Sequence, residues 1–501
     1  MENLQLLMQG FSIALTPENI IYCIGGGIIG IIVGALPGLG SVAGVALLLP
    51  LTFKMNPTTA IISLAALYYG NMFGGAISAI LLNIPGDAPA VMTTLDGYSM
   101  AKKGRAGQAL NISFYSSFIG GLVGAIMLTF AGPALANIGL KFGPPEMAAL
   151  ILLAMTSVGW VLGDNPAKGL LSTVLGLMIA SIGVDSMQGT ERMTFGILNL
   201  AGGIEFIPLV IGMFGFSQVI ETITNNDNNE IIKFDKLTYK NSWPNKEEWK
   251  RSTPASFIHG VVGFIVGLIP GSGATTAAFM SYIIEKKRSK HPEELGTGAP
   301  EGIAAPESSN NAASVGAFAP LVALGIPGSG TTAVLLGGLM MWGLQPGPLF
   351  MHNNPEVTWA LFASMFTGNV LVAIICILTI PLLVNILTIP NSILAPIIIG
   401  ISIVGSYSVN NSLFDVSVMI FAGVIGYILM KHDFPTATLV LAAILGPMLE
   451  TSIRQSFLIS QGSISIFFTR PLSLAFIIVT TIMFVLPIIK KLIFRKKLVT
   501  Q

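Results

Sequence analysis

The sequence predicts an all-α polytopic membrane protein with about 10 to 12 transmembrane helices, some of them re-entrant or interrupted, in two inverted repeats. Three observations support this prediction. The composition is strongly apolar, the charged residues leave long uncharged runs between them, and a set of Gly-Pro landmarks occurs twice in the same order. Together they indicate a chain that folds within a lipid bilayer.

The composition excludes an ordinary soluble fold. Of the 501 residues, 52% are hydrophobic and 10% are charged, whereas soluble domains carry roughly a quarter charged residues. Mean hydropathy is +0.77. The formal net charge is +1, so no nucleic-acid partner is indicated. The lipid bilayer is therefore the expected surroundings of most of the chain.

The uncharged runs are longer than the roughly 20 residues that one spanning helix needs. Several are too long for one span and contain Gly and Pro, so re-entrant or interrupted helices are expected. The runs cover residues 19–53, 55–86, 106–140, 252–284, 308–355 and 357–414.

Both termini fit a chain that stays in the membrane. The start Met-Glu-Asn-Leu-Gln lacks the basic segment of a secretory signal, so the first apolar run is expected to remain as a membrane helix. At the other end, the uncharged run 471–489 predicts a last transmembrane helix. The basic residues that follow, from Lys490 to Lys497, predict a cytoplasmic anchor.

The middle of the chain is polar, and the landmarks repeat on either side of it. The predicted segments are a first transmembrane repeat (1–221), a polar linker (222–254), a second repeat (255–455) and a final helix with a basic tail (456–501). Gly34-Ala-Leu-Pro-Gly-Leu-Gly40 is matched by Gly267-Leu-Ile-Pro-Gly-Ser-Gly273, an offset of 233 residues. Ile84-Pro-Gly86 is matched by Ile326-Pro-Gly328, an offset of 242.

The basic residues favour opposite orientations for the two repeats. Lys102, Lys103 and Arg105 follow the first Ile-Pro-Gly, but residues 345–355 after the second contain no Lys or Arg. Conversely, the basic run 286–290 of the second repeat corresponds to a stretch with only Lys54 in the first. Since short cytoplasmic loops are enriched in Lys and Arg, this reciprocal pattern predicts an inverted repeat.

Four Pro-Gly pairs interrupt the apolar runs, at residues 37–38, 85–86, 270–271 and 327–328. Proline removes a backbone donor and glycine permits positive φ, so a helix is expected to end at each pair. A half-helix N-terminus attracts a carboxylate, and freed carbonyls coordinate Na⁺. The alternative is that each pair only kinks or packs a helix, but matching placement in both repeats favours a binding site.

The candidate site residues are neutral hydrogen-bonding groups near these pairs. Many such hydroxyls bond their own helix carbonyls, which is the alternative at each position. Asp87 and Glu307 are candidate proton or cation carboxylates, with helix-end residues in water as the alternative. The substrate-binding candidates are Asn83, Ser308, Ser309, Asn310, Asn311, Ser329, Gly330, Thr331 and Thr332; the ion-binding candidates are Pro37, Gly38, Gly40, Ser41, Gly271, Ser272, Gly273 and Thr275.

Enzyme and metal motifs are absent from the sequence. It has no GxxxxGK[ST], HExxH, GxSxG or CxxC, so we expect no enzyme activity, no metal site and no cofactor, and transport driven by a Na⁺ or H⁺ gradient. Two alternatives stay open. A gated anion channel also uses Gly-rich interrupted helices, and an intramembrane enzyme would need a clustered acid, base or metal set.

A longer series of motifs resembles a known family. They are Gly34 to Gly40, Tyr68-Tyr-Gly-Asn-Met-Phe-Gly-Gly75, Asn83-Ile-Pro-Gly86, Leu95-Asp-Gly-Tyr98, Gly267 to Gly273, Pro306-Glu-Ser-Ser-Asn-Asn311 and Gly325-Ile-Pro-Gly-Ser-Gly330. In combination they resemble the large membrane subunit of the tripartite tricarboxylate transporters (TctA type). The resemblance covers essentially the whole chain apart from the extreme termini and the linker.

This resemblance implies a multi-pass importer in the bacterial cytoplasmic (inner) membrane that carries citrate-like tricarboxylates or dicarboxylates with Na⁺ or H⁺. It also implies two partners, a small membrane subunit and an extracytoplasmic solute-binding protein that delivers the substrate. An elevator-type mechanism is a further implication of the family.

Overall fold

The protein is described by a computed structural model that covers residues 2–36, 38–161, 166–185, 187–224, 241–386 and 391–483. Within these ranges the chain is almost entirely helical, and the only strands are β1 (Gly183–Val184) and β2 (Glu191–Arg192), which pair antiparallel. The predicted all-α class is therefore confirmed. The basic tail predicted at 490–497 and the candidate Pro37 lie outside the described residues.

The described helices include seven that are long and apolar enough to cross a membrane. Six shorter apolar helices of 10 to 17 residues accompany them, as expected of a chain with interrupted helices. The protein is thus a multi-pass membrane protein, and the count of about 10 to 12 crossings stays a prediction. The seven long spans are Pro17–Ala35, Pro57–Leu82, Ala106–Gly139, Phe206–Thr224, Pro355–Leu382, Leu413–Lys431 and Thr436–Ile459.

The helices before the polar linker begin and end as follows: α1 Glu2–Ala14, α2 Pro17–Ala35, α3 Gly40–Leu48, α4 Pro57–Leu82, α5 Val91–Lys102, α6 Ala106–Gly139, α7 Pro144–Val161, α8 Pro166–Ala180, α9 Phe206–Val210 and α10 Ser217–Thr224. Short 3₁₀ turns cover Leu49–Thr52, Ala88–Ala90 and Leu198–Leu200, and a π turn covers Ile211–Phe216.

The helices after the linker are α11 Lys246–Gly267, α12 Gly273–Arg288, α13 Pro300–Gly316, α14 Phe318–Leu324, α15 Gly330–Met341, α16 Phe350–Asn353, α17 Pro355–Ile386, α18 Asn391–Asn410, α19 Leu413–Lys431, α20 Thr436–Ile459 and α21 Ile466–Thr469.

The chain forms two compact units. One comprises residues 1–137 and 207–427 and contains all four Pro-Gly pairs, and the other comprises 138–206 and 428–501. In the first unit, α4 and α13 lie in the interior, because every residue of α13 and all of the apolar window of α4 are buried. Both helices are therefore surrounded by protein instead of lipid.

The predicted breaks interrupt the helices in corresponding places. α2 stops at Ala35 before α3 starts at Gly40, and α11 stops at Gly267 before α12 starts at Gly273. The chain turns through positive φ at Gly38 (92°) and Gly40 (60°), and again at Gly271 (80°) and Gly273 (65°). Glycine tolerates this left-handed region at no steric cost, which explains why the helices end here.

The second pair of breaks ends in left-handed C-caps. α4 ends at Asn83 with φ 61°, and α14 ends at Gly325 with φ 71°. The order of helix, break, half-helix, buried helix, break and half-helix is thus the same in α2 to α5 and in α11 to α15. Opposite orientation of the two copies stays a prediction, as do the segment boundaries at 221, 254 and 455.

Glycines let the paired helices approach until backbones touch. A Cβ at Gly30 of α2 would lie 2.3 Å from the Leu67 carbonyl oxygen of α4, and one at Gly34 would lie 2.3 Å from that of Asn71. Small residues at such crossings are typical of membrane helix pairs that associate by close packing. The α2–α4 seam therefore depends on glycine.

The matching seam in the second half uses the same spacing. A Cβ at Gly263 of α11 would lie 2.2 Å from the Ser309 carbonyl oxygen of α13, and one at Gly267 would lie 2.4 Å from that of Ala313. Gly267 corresponds to Gly34 by the offset of 233, and Ala313 corresponds to Asn71 by the offset of 242. The two halves therefore hold their buried helices in the same way.

We expect Gly30→Ala to destabilise the protein by about 1 to 3 kcal/mol or more, because the added methyl group must push α2 away from a backbone carbonyl. Gly25→Ala is the matched control, since a Cβ at Gly25 meets nothing within 4 Å. Thermal unfolding in detergent, followed by the monodisperse fraction, measures the difference. Equal unfolding midpoints for the two variants would contradict the packing described for this seam.

The second unit is held by ion pairs around its short hairpin. Arg454 of α20 donates to both oxygens of Asp185, at 3.0 and 2.7 Å, and Arg192 donates to Glu450 at 2.8 Å. The hydrogen bonds from Arg454 hold the pKa of Asp185 below its usual value. Arg454 therefore forms structural ion pairs within this unit.

Candidate substrate and ion site

Asp87 joins the first two breaks. It is the N-cap of the 3₁₀ turn Ala88–Ala90, and its Oδ1 accepts a hydrogen bond from the Ala88 N–H at 2.7 Å. Its Oδ2 accepts from the Ser41 N–H at the start of α3, at 2.8 Å, and from Asn71 Nδ2 of α4 at 2.7 Å. A carboxylate is stabilised at helix N-termini, where N–H groups are free. Asp87 therefore neutralises the positive end of α3.

Side chains of the two halves meet beside Asp87. Ser41 Oγ lies 2.9 Å from Thr331 Oγ1 in the first turn of α15, and Tyr68 Oη of α4 lies 3.2 Å from Ser329 Oγ. Ser329 is the N-cap of α15 and forms a capping box with Thr332. The break before α15 in the second half thus contacts the break before α3 in the first.

The break before α12 joins the same assembly. The Gly271 N–H donates to the Gly328 carbonyl at 3.1 Å, and Ser272 Oγ donates to the Ile269 carbonyl at 2.9 Å. A Cβ at Gly273 would lie 3.9 Å from Ser329 Cβ. All four breaks are therefore linked to one another within the first unit.

The two halves differ in charge at this assembly. Asp87 and Ser329 are corresponding N-caps, related by the offset of 242. The carboxylate of Asp87 occupies the N-terminus of α3, whereas the N-cap of α15 is a neutral hydroxyl. Helix N-termini attract anions. The N-terminus of α15 in the second half is therefore available to an anion from outside the protein, because its N-cap carries no carboxylate.

The remaining candidates near the breaks differ in exposure. Asn83 is exposed, while Gly330 and Thr275 are partly exposed at the starts of α15 and α12. A Cβ at Gly38 would lie 2.7 Å from Gln218 Nε2, so α10 packs close to the first break. Thr331 and Thr332 are buried.

The candidates Ser308 to Asn311 lie in the middle of α13 and are buried. Ser308 donates to the Ser256 carbonyl of α11. Asn311 Nδ2 donates to the Glu307 carbonyl at 3.0 Å and to Asn310 Oδ1 at 2.7 Å. Among the described residues, none of these side chains forms a hydrogen bond with a break, so the structure does not bring the two candidate sets into direct contact.

Several buried polar atoms of this stretch have no hydrogen-bond partner within the described part of the chain. They are Ser309 Oγ, Asn310 Nδ2 and Asn311 Oδ1. Leaving a buried polar atom unpaired costs about 1 to 3 kcal/mol. The Asn310 side chain lies beside the Glu307 carboxyl group, so Ser309 Oγ and Asn311 Oδ1 are the two atoms whose partner we expect to be a ligand, an ion or water.

Glu307 lies one residue before this stretch and is buried among neutral groups. Thr93 of α5 donates to its Oε1, and Ser117 of α6 donates to its Oε2 at 3.1 Å. The Ser113 and Asn310 side chains also lie beside the carboxyl group. The sequence singled out Glu307 but not the two α6 serines, which carry no motif of their own.

Asp96 is a second buried carboxylate that the sequence did not single out as a site residue. Its Oδ1 accepts the N–H groups of Gly296, Gly298 and Ala299, each at 2.8 Å, and its Oδ2 accepts Tyr282 Oη at 2.9 Å. It therefore fixes α5 of the first half to the entry of α13 in the second. The sequence feature that pointed to Asp96 was its place in the motif Leu95 to Tyr98.

Broken helices whose N-termini meet around hydroxyl and carboxylate groups are typical of multi-pass membrane transport proteins. Within that class the chain belongs to the tripartite tricarboxylate transporter TctA family, whose model matches residues 20–441. The match includes all four breaks, Asp87, Asp96 and Glu307.

Two relatives from Agrobacterium vitis are similar to the chain. The "uncharacterized 52.8 kDa protein in TAR-I ttuC' 3'region" is 40% identical over 474 residues, which cover 94% of each chain. The "uncharacterized protein in TAR-II ttuC' 3'region" is 40% identical over 231 residues, which cover 46% of this chain and 96% of the relative. No solved structure matches the chain.

Proposed function

We propose that this chain is the large transmembrane subunit of a binding-protein-dependent secondary transporter that imports citrate-like tricarboxylates or dicarboxylates by Na⁺ or H⁺ symport across the bacterial cytoplasmic (inner) membrane. The observation that carries the proposal is the convergence of four helix breaks from both halves in a chain of the TctA family. Its partners are a small membrane subunit and an extracytoplasmic solute-binding protein.

The proposed site uses both kinds of group that the breaks expose. A substrate carboxylate binds at the N-terminus of α15, where Ser329, Thr331 and free N–H groups are donors. The carbonyls released where α2 and α11 end are the ligands for Na⁺ when this is the coupling ion. The chain needs no cofactor and catalyses no bond cleavage, because the ion gradient supplies the driving force.

Charge favours the second half for the substrate. A citrate-like anion is repelled by the Asp87 carboxylate, which already occupies the N-terminus of α3. The corresponding N-cap, Ser329, is neutral and 8% exposed, so it presents a hydroxyl without repulsion. Asn310 and Asn311 contribute hydrogen-bond donors and acceptors from α13 once a conformational change exposes them to the substrate.

The test is uptake into vesicles that contain the chain with its small membrane subunit and its binding protein. Labelled dicarboxylates and tricarboxylates are supplied under separately imposed Na⁺ and pH gradients. We expect accumulation of at least one of them, dependent on the binding protein and on one gradient. A channel gives flux without the binding protein and no accumulation against a gradient, and an intramembrane enzyme gives a changed product; either outcome would contradict the proposal.

A further inference from the structure

Glu307 is a carboxyl group at the centre of the first unit with only neutral groups against it. Its exposed fraction is 0%, and its two oxygens accept hydrogen bonds from the Thr93 and Ser117 hydroxyls. Three helices from both halves, α5, α6 and α13, supply this environment. Among the described residues no Lys, Arg or His forms an ion pair with it.

The charged and titratable groups that face α13 from α4 and α5 have other partners. The carboxylate of Asp96 in α5 accepts hydrogen bonds from three backbone N–H groups and from Tyr282 of α12. Tyr68 of α4 bonds to Ser329, and Tyr69 donates to the Ser364 carbonyl at 3.2 Å. These groups therefore supply no positive charge to Glu307.

Groups on the other helices packed against α13 are also engaged. His259 of α11 lies 2.8 Å from Glu285 of α12, and Arg251 lies 2.7 Å from Glu301 at the start of α13. The sequence of α6 has no charged residue, and its one tyrosine, Tyr115, bonds to Thr253 of α11 at 3.2 Å. Asp87, before the 3₁₀ turn that also packs on α13, bonds to Ser41, Asn71 and Ala88.

An ionised carboxylate in such surroundings is unfavourable. Burying a charge without a counter-charge costs far more than burying a neutral group, and the usual response is to neutralise it. Hydroxyl groups can donate to a carboxylate and can also accept from a protonated carboxyl, so Thr93 and Ser117 suit both forms. Both carboxyl oxygens are therefore engaged by direct hydrogen bonds from protein hydroxyls.

We propose that Glu307 carries the coupling proton of the transporter: its carboxylate takes up one proton from the side of uptake, is neutral in the conformation described above, and releases the proton on the other side. This inference rests on the proposed function and specifies the coupling ion. No other bond forms or breaks, and the charge of the proton is balanced by that of the carboxylate.

Proton-driven accumulation by Glu307→Gln tests the proposal. The complete complex is reconstituted in Na⁺-free vesicles with a more acidic outside, and labelled citrate and internal pH are recorded together. We expect the wild type to accumulate citrate and to acidify the interior. The variant should lose both, with accumulation falling at least tenfold, but should retain exchange of internal for external citrate within about twofold, since a neutral amide preserves the hydrogen-bonding shape.

Glu356→Gln is the matched control, because Glu356 is an exposed carboxylate in the first turn of α17. It should accumulate citrate and move protons as the wild type does. Retention of pH-driven accumulation by Glu307→Gln would overturn the proposal. So would wild-type accumulation that follows Na⁺ and ignores pH, although that result leaves the proposed function intact. Absence of wild-type uptake of citrate and of every other dicarboxylate and tricarboxylate supplied, under either gradient, instead contradicts the proposed function.

A second variant keeps the test decisive if Glu307→Gln fails to fold. Ser117→Ala removes a donor that stabilises the ionised carboxylate. The pH midpoint of citrate uptake should therefore move upward by about half a unit or more. An unchanged midpoint in a folded Ser117→Ala complex would overturn the assignment of the proton to Glu307.

Discussion

Replacing both Asn310 and Asn311 with alanine is expected to lower carboxylate uptake at least about 100-fold, equivalent to about 2.7 kcal/mol, without lowering the thermal stability of the protein. The reason is that one polar atom of each side chain has no partner among the described residues, although both are buried in α13. The double substitution removes the two unpaired atoms, which relieves their desolvation cost, and it removes both partners of the Asn311 Nδ2–Asn310 Oδ1 hydrogen bond together, so neither partner is left unsatisfied. The same change deletes groups that we assign to substrate recognition.

Uptake per folded molecule and the unfolding midpoint in detergent measure the two effects separately. The control is Asn369→Ala, because the Asn369 amide donates to the Phe118 carbonyl at 2.8 Å. It should lower stability, since it removes a part-buried hydrogen bond between α17 and α6, and should keep uptake per folded molecule near the wild-type value. Full transport by the Asn310 and Asn311 double variant would refute their assigned role.

Asp96→Ala should destabilise the protein more than any of the other substitutions. Its carboxylate accepts four hydrogen bonds in a buried position, three from backbone N–H groups and one from Tyr282. Each donor left unpaired costs about 1 to 3 kcal/mol, and the sum approaches the whole stability of a typical domain. We expect little folded protein to be recovered from the membrane.

Asp415→Ala is the control for Asp96→Ala. Asp415 is also buried, with 4% of its surface exposed, and it accepts a hydrogen bond from Asn410 at 3.1 Å. Its removal should therefore cost much less. Recovery of monodisperse protein after detergent extraction compares the two variants, and equal recovery would show that Asp96 does not fix α5 to the entry of α13.

The breaks were predictable because their cause is local. A Pro-Gly pair combines a missing backbone donor with a residue that tolerates positive φ, whereas single prolines lie inside α6 and α13. The pairs at 85–86, 270–271 and 327–328 and Gly38 therefore indicated interruptions without any knowledge of packing. The matching offsets also showed that the two halves follow the same order. The all-α class followed from the composition, because uncharged apolar runs of this length are typical of membrane-spanning helices.

The contacts between the halves were not predictable, because they join residues far apart in the chain. Asp96 meets Ala299 across 203 positions, and Ser41 meets Thr331 across 290. A single sequence carries no signal for such pairs, since even a motif that contains one partner, as Leu95 to Tyr98 contains Asp96, does not show which distant residue it meets. The position of Ser308 to Asn311 in the middle of the buried helix α13 was not predictable for a related reason, since the burial of a polar cluster depends on the helices that surround it.

We infer that the breaks of the two halves form one site that binds the substrate. A disulfide between Ser41→Cys and Thr331→Cys probes this shared site. The two hydroxyl oxygens are 2.9 Å apart and the S–S bond of a disulfide is about 2.0 Å long, so two cysteine sulfur atoms at these positions lie near bonding distance. Cys23 and Cys376 are replaced by alanine beforehand. We expect oxidation to link the pair and stop the citrate uptake that the reduced double variant retains, reduction to return uptake to that level, and citrate to slow the linking. Failure to form the bond, or full uptake by the oxidised protein, would contradict a shared site.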